Sequence, residues 1–423
     1  MTAGLRITEV ERITLLVPFR SRVEPWLNLL NWQWGIVEIT RVVTDAGYVG
    51  YGETLPHYTW GKVTDEAVER VKGKNPAEFL SDDSLGAGLQ MALWDVVGKA
   101  LDVPVHALLG NPKVRDWAPI AWWTTKAPPE IAAAEAVDAV KEGYLAHKFK
   151  ARPWFDVFEA ARLVSEATPP AYKIDIDWNG LLVNAGNAIR VLAELDKNPK
   201  VAIYESPIPH EDIEGYQKIR KQIKNPLAIH FGGAPSFSTT LESQMCDGFV
   251  VHNGVSEILS KGALAAAFNK PFWLQMVGPG LTTALSAHLG SVLTHAQWPA
   301  ISCLNIYADD LIVSPHTIAG GFIKVPDAPG LGVEFDESAI AKYKMEPPYE
   351  LPEPRRILSV NFASGRTMHR VGIWNVWEEF RKGHLPTQEP GVRLEVTCDD
   401  GTPEWADLFD RASKAAVYDV SRP

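Results

Sequence analysis

The sequence predicts an α/β protein built from an N-terminal α+β capping domain, a (β/α) barrel of the TIM type and a C-terminal extension. Three observations carry this expectation. The first fifty residues alternate apolar and polar side chains and give way to a helical block. Eight short apolar strands then alternate with amphipathic helices. Finally, a proline-rich connector sets off the last stretch of chain. At 423 residues the chain exceeds the usual size of one compact core, so more than one domain is expected. The boundaries fall at 1–115, 116–343 and 344–423.

From about Leu5 to Glu53 the chain reads as an antiparallel meander. ITEVERITLLV alternates, and GIVEITRVVTDAGYVGYGE carries the turn signal Asp45-Ala46-Gly47 between two β-rich runs. From Thr64 to Leu109 the spacing becomes helical, most clearly in AGLQMALWDVVGKALDVPVHALLG, which Gly110 closes. Barrel strands are expected at Pro119–Thr124, Ala146–Lys150, Tyr172–Asp177, Val201–Glu205, Pro226–His230, Gly248–His252, Pro271–Met276 and Ile301–Asn305. Segments such as EIAAAEAVDAVKEG and SEILSKGALAAAFNK between them have helix-period apolar faces. An open doubly wound sheet shares this rhythm, so periodicity alone leaves that alternative standing. MEPPYELPEPRR is the connector. Beyond it, RILSVNFASGRTMHRVG and VRLEVTCDDG read as short strands and WNVWEEFRKG as a short helix.

Composition narrows the function. Hydrophobic residues make up 46% and charged residues 22%, the balance of a globular protein. A net charge of -11 with both signs mixed along the chain argues against a nucleic-acid partner. No apolar run is long enough to span a membrane, and the N-terminus lacks the apolar core of a signal peptide. Cys246, Cys303 and Cys398 are widely spaced, which suits a reducing compartment, the cytoplasm. Small molecules are the expected partners, and a homo-oligomer is the expected assembly. The 15 tryptophans exceed what a core needs, so some should line a site.

In a parallel barrel the C-terminal strand ends converge on one mouth, where active sites form. The second strand ends in Lys148-Phe149-Lys150, so both lysines point to one side. Two inward ammonium groups repel, and each lowers the other's pKa toward the range of a general base. A solvated strand end is the competing reading. The third strand gives Asp175-Ile176-Asp177-Trp178-Asn179 and the fourth Tyr204-Glu205-Ser206-Pro207. Carboxylates at adjacent strand ends can share a hard divalent cation, although a lone acid there is often a helix cap.

GYVGYGET, the helix AGLQMALWDVVGKALDVPVHALLG, the Lys148-Phe149-Lys150 strand, IDWN and YESPIP occur in the order and approximate spacing of the enolase superfamily. The chain most resembles its muconate lactonizing and mandelate racemase branches, from roughly Ile7 to Tyr343. The resemblance implies a metal-assisted enolate mechanism in which a barrel base removes a proton α to a carboxylate. Lys150 matches the base and Lys148 its partner near the carboxylate. Asp177 and Glu205 match two metal ligands, and Asn179 matches the companion of the first. The implied cofactor is a divalent metal ion, Mg²⁺ by resemblance.

Four positions depart from the pattern. His230 stands where a third acidic ligand is usual, which would move the preference toward a transition metal. A hydrogen-bonded core histidine is the alternative. His252 ends the sixth strand where the muconate lactonizing branch has a catalytic lysine, and as an acid or base it would face Lys150. Gln275 occupies the place of the mandelate racemase histidine, so that dyad is not expected. Asn305 lies near a position that is acidic in some members. The cap loops that set specificity in the family match Arg20–Trp34 and Leu55–Trp60. They offer Arg20, Trp26, Trp32, His57, Tyr58 and Trp60, with Trp122 on the first strand. Aromatic faces with an arginine suit a polyhydroxylated acid. The expected function is a lyase that dehydrates a sugar acid. An epimerase, racemase or cycloisomerase would share the enolate, and a non-catalytic small-molecule binder is the reading from another class.

Overall fold

The structure is a computed structural model that describes residues 5–58, 61–233, 235–346 and 354–420. Trp60 and most of the proline-rich connector lie outside the described residues.

Strands β1 (Ile7–Leu16), β2 (Ile36–Thr44) and β3 (Val49–Thr54) form an antiparallel meander. Helix Ala87–Leu101 lies on it and is buried over most of its length. The two meet so closely that a Cβ on Gly52 would stand 2.1 Å from the Gly88 carbonyl oxygen, which explains the glycines of GYVGYGET. Glu53, at the end of this sheet, accepts the Thr282 backbone N–H at 2.6 Å and so ties the sheet to the barrel.

Strand β4 (Trp117–Pro119) precedes seven parallel strands: β5 (Trp122–Thr124), β6 (Ala146–Lys150), β7 (Lys173–Asp177), β8 (Val201–Glu205), β9 (Leu227–His230), β10 (Gly248–Val251) and β11 (Phe272–Leu274). They pair in chain order, as right-handed β–helix–β units require. Residues 300 and 301 close the barrel through parallel bridges from Ala300 to Ile120 and from Ile301 to Gln275. The eighth strand is thus shorter than the expected Ile301–Asn305. Cys303 turns into the left-handed region (φ 57°), and Leu304–Ile306 becomes a 3-10 turn. The expected first strand also divides, because β4 pairs with β13 (Phe322–Lys324), which in turn pairs with β12 (Ile318–Ala319).

The C-terminal region builds its own sheet, in the order β16 (Arg393–Cys398), β14 (Arg356–Asn361), β15 (Arg366–Arg370), β17 (Val417–Val420). Helices Ile373–Arg381 and Pro403–Lys414 accompany it. Leu358, Val360, Met368 and Val376 share one core cluster with Trp154, Phe155 and Leu181. Those three follow β6 and β7, so this unit packs on the loops at the barrel mouth. Among the described residues no helix is long and apolar enough to cross a membrane.

Candidate active site

Strand β6 alternates as a barrel strand must. His147 points to the helix side, meets Thr124 Oγ1 at 2.7 Å, and is pushed down to about 3 by burial, so it is neutral. Lys148 and Lys150 face the interior, with side chains 1% and 13% exposed. Register places Lys150 beside Asp177 and Asp177 beside Glu205. Lys150 pairs with Asp177 and Lys148 with Glu205, and Lys148 Nζ also lies 3.7 Å from Asp177 Oδ2. Lys148 further donates to Gln275 Oε1 at 2.8 Å, and Gln275 Nε2 donates to the Tyr58 hydroxyl at 3.1 Å. Cap and barrel therefore meet in one hydrogen-bonded chain.

The two lysines are tuned in opposite directions. Burial opposes the Lys148 charge, but Glu205 and Asp177 outweigh it and hold the pKa above the ordinary value. For Lys150 burial prevails, reinforced by Lys148 and Arg152, and the pKa falls below the ordinary value despite Asp177. Burial also works against the Asp177 carboxylate, yet Lys150 and Lys148 hold it well below the usual range. Asp175, one pleat earlier, is pushed up to about 7 by burial, with Glu205 adding and Lys148 opposing.

His230 Nε2 lies 3.0 Å from Glu205 Oε1, and its ring centroid is 5.2 Å from that of His252. His252 Nδ1 meets Asn253 Oδ1 at 2.6 Å, and burial followed by His230 lowers its pKa. His210 joins this side, with its ring 6.4 Å from His230 and its Nε2 2.8 Å from Ser206 Oγ. Lysines occupy one oxygen of each buried carboxylate, Asp177 Oδ2 and Glu205 Oε2. Among the described residues no group of three His, Cys, Asp or Glu is arranged to hold a metal ion. Asp177, Glu205 and His230 are neighbours, but as arranged they do not fit the expected three-ligand site, because ammonium groups stand where the cation would.

Asn179 belongs to the site: its Oδ1 accepts from Arg152 at 2.7 Å and faces Lys150 Nζ at 3.4 Å. Several expected substrate contacts are placed elsewhere. Trp122 points to the outer helix and donates to Glu135 at 3.0 Å, because the three-residue strand turns this ring away from the mouth. Arg20 lies over the Trp122 ring and pairs with Glu142, so its charge is already matched. Asn305 is a structural brace that accepts the Trp123 N–H at 3.0 Å and donates to the Trp123 carbonyl at 2.8 Å. His57 is exposed. Trp26 and Trp32 line a cavity of about 1330 Å³ shared with Arg356 and Trp374 of the C-terminal sheet and its helix. Trp34, in contrast, packs on Tyr58 (centroids 4.6 Å) and Trp123 (5.4 Å).

Two residues of the site were missed in the sequence. Arg152 continues the two-residue alternation of Lys148 and Lys150, a signal that was present but lay past the expected end of the strand. Lys126 follows the first barrel strand by two residues and lies in the field of Arg152 and Lys150, but nothing in the neighbouring sequence marks it.

A family model described as "Enolase C-terminal domain-like" matches residues 132–339. The chain belongs to the enolase superfamily. Enolase superfamily members bind a divalent metal ion. The chain is 28% identical over 360 residues to a D-gluconate dehydratase of Thermoproteus tenax, covering 73% of this chain and 70% of that protein. It is 27% identical over 368 residues to a D-xylonate dehydratase of Haloferax volcanii, covering 75% and 86%. An enolase from Thermobispora bispora, solved with magnesium and formate, shares the fold with a TM-score of 0.65 at 22% identity, covering 81% of this chain and 92% of that one.

Proposed function

We propose that this enolase superfamily chain is a lyase that dehydrates a sugar acid through an enolate. The carrying observation is the contrast between two interior lysines on one strand. Lys150 is the group whose neutral form the surroundings favour, and Lys148 is the group whose charge they protect. A neutral Lys150 takes the proton from the carbon next to the substrate carboxylate. The electron pair moves into the carboxylate as an enediolate, whose negative charge the buried Lys148 stabilises. The pair then returns to form the C=C bond as the C–O bond to the β-hydroxyl breaks. That hydroxyl leaves as water with a proton from His252, and the enol product tautomerises to a keto acid. The names of the two dehydratase relatives support this substrate class. The free cysteines suit a reducing compartment, the cytoplasm.

Lys148 and Lys150 engage Glu205 and Asp177, so side chains of the barrel carry the proton transfer. A proton donor on the opposite face, such as His252, would turn the same enolate into an epimerase reaction. Proton NMR of D-gluconate and D-xylonate incubated with the protein tests the proposal. Appearance of a new methylene with loss of the α-proton is expected, whereas inversion without water loss would select the epimerase.

A further inference from the structure

Buried charges are normally matched, because an isolated ion away from water is costly. Two cations beside the proposed base break this rule. Arg152 is 2% exposed, and its hydrogen bonds go to neutral oxygens: the carbonyls of Ala151 (2.5 Å) and Asp177 (3.5 Å) and Asn179 Oδ1 (2.7 Å). Its Nε has no partner, and its outer face is covered by the Trp377 ring at 5.2 Å. Lys126 is half-buried, and its ammonium meets only an amide oxygen, Asn31 Oδ1 at 2.5 Å. Among the described residues neither has a carboxylate within ion-pair distance.

These cations adjoin the pair already described. Thr124 is in register with Phe149, so Lys126 continues alongside the Lys150–Arg152 stretch. Asn179 Oδ1 is shared by Lys150 and Arg152. Burial first, then Arg152 and Lys150, press the Lys126 pKa well below the ordinary value, as expected of ammonium groups within each other's field. Lys148 and Lys150 are thus paired with Glu205 and Asp177, whereas Lys126 and Arg152 have no such carboxylate partner among the described residues. Two basic side chains of the site are left without a carboxylate of their own.

We propose that Lys126 and Arg152 clamp a second acid group of the substrate, so that the sugar acid processed here is a dicarboxylate. This rests on the enolate reading, in which Lys148 and Lys150 attend the carboxylate next to the reacting carbon. Arg152 offers a planar fork for a carboxylate and Lys126 a mobile point charge, and Trp377 fixes the fork by stacking on it. The C-terminal sheet and its helices, outside the matched residues 132–339, thereby take part in specificity.

The test compares four-, five- and six-carbon sugar dicarboxylates with the corresponding monocarboxylates by isothermal titration calorimetry at low ionic strength. At least one dicarboxylate should bind more than about tenfold tighter than its counterpart, the range of a charge-assisted pair. Lys126→Met and Arg152→Gln should bring that ratio close to one, and Lys126→Arg should keep most of it. Should the buried Arg152 variant fail to fold, the two Lys126 variants decide. The clamp is overturned if no dicarboxylate is preferred, or if the preference survives Lys126→Met. Proton exchange at the α-carbon in deuterated water is scored separately. Preference without exchange would remove the enolate reading and leave the clamp, and exchange without preference would do the reverse.

Discussion

Asp175 provides a test of the site's electrostatics that needs no substrate. Its side chain is buried, Oδ1 has no hydrogen-bond partner, and burial pushes the carboxyl from 3.8 up to about 7. On unfolding it returns to the ordinary range. Between those two values the folded state holds the proton more tightly than the unfolded state, so stability falls as pH rises and levels off above about pH 7. At about 1.36 kcal/mol per tenfold change, the cost is about 4 kcal/mol at pH 8 and about 2 kcal/mol at pH 5. Asp175→Asn keeps the shape without the charge. The variant should therefore be more stable than the parent at both pH values, with the larger gain at pH 8. Urea unfolding followed by tryptophan fluorescence at the two pH values measures this. An advantage that is flat with pH, or that shrinks as pH rises, would refute the burial argument.

Lys148→Met should cost about 3–5 kcal/mol in the same assay, because it leaves Glu205 buried without its ammonium partner. A loss under about 1 kcal/mol would mean that water reaches the pair. Magnesium at about 1 mM should raise the apparent stability by less than about 0.4 kcal/mol, since an ion must displace both lysines to reach Asp177 and Glu205. A shift of several degrees in thermal melting would show that the carboxylates open readily to a metal. The rate of α-proton exchange should climb with pH and level off below 10.5, because the base form of Lys150 appears at its lowered pKa. Stopped assays across buffers give that profile, and a rate that declines through the same range would contradict the assignment.

Much of this architecture was legible because parallel barrel strands are buried on both faces and read as compact apolar runs between amphipathic helices. The interior position of Lys148 and Lys150 followed from alternation alone, and β6 places them so. Failures arose where alternation is too short to fix a direction. Trp122 and Trp123 lie on a three-residue strand, and nothing local shows that Trp122 turns to Glu135 while Trp123 meets Trp34. Asn305 looked like a strand end, yet the left-handed Cys303 redirects the chain and leaves the amide bracing Trp123. Contacts between distant segments were invisible as well. The docking of Trp377 on Arg152, and of the C-terminal core on Trp154 and Phe155, joins stretches more than two hundred residues apart. In the tail, helix Pro403–Lys414 and β17 escaped notice.

The central claim is that Lys150 is the base that forms the enolate. Incubation of the protein and its Lys150→Met variant with sugar acids in deuterated water, followed by proton NMR at the α-carbon, tests it most directly. The account predicts loss of the α-proton signal with the parent and its complete retention with Lys150→Met, while Asp177 keeps its second cation in Lys148 and the variant stays folded. Exchange or turnover by Lys150→Met at the parent's rate would contradict it.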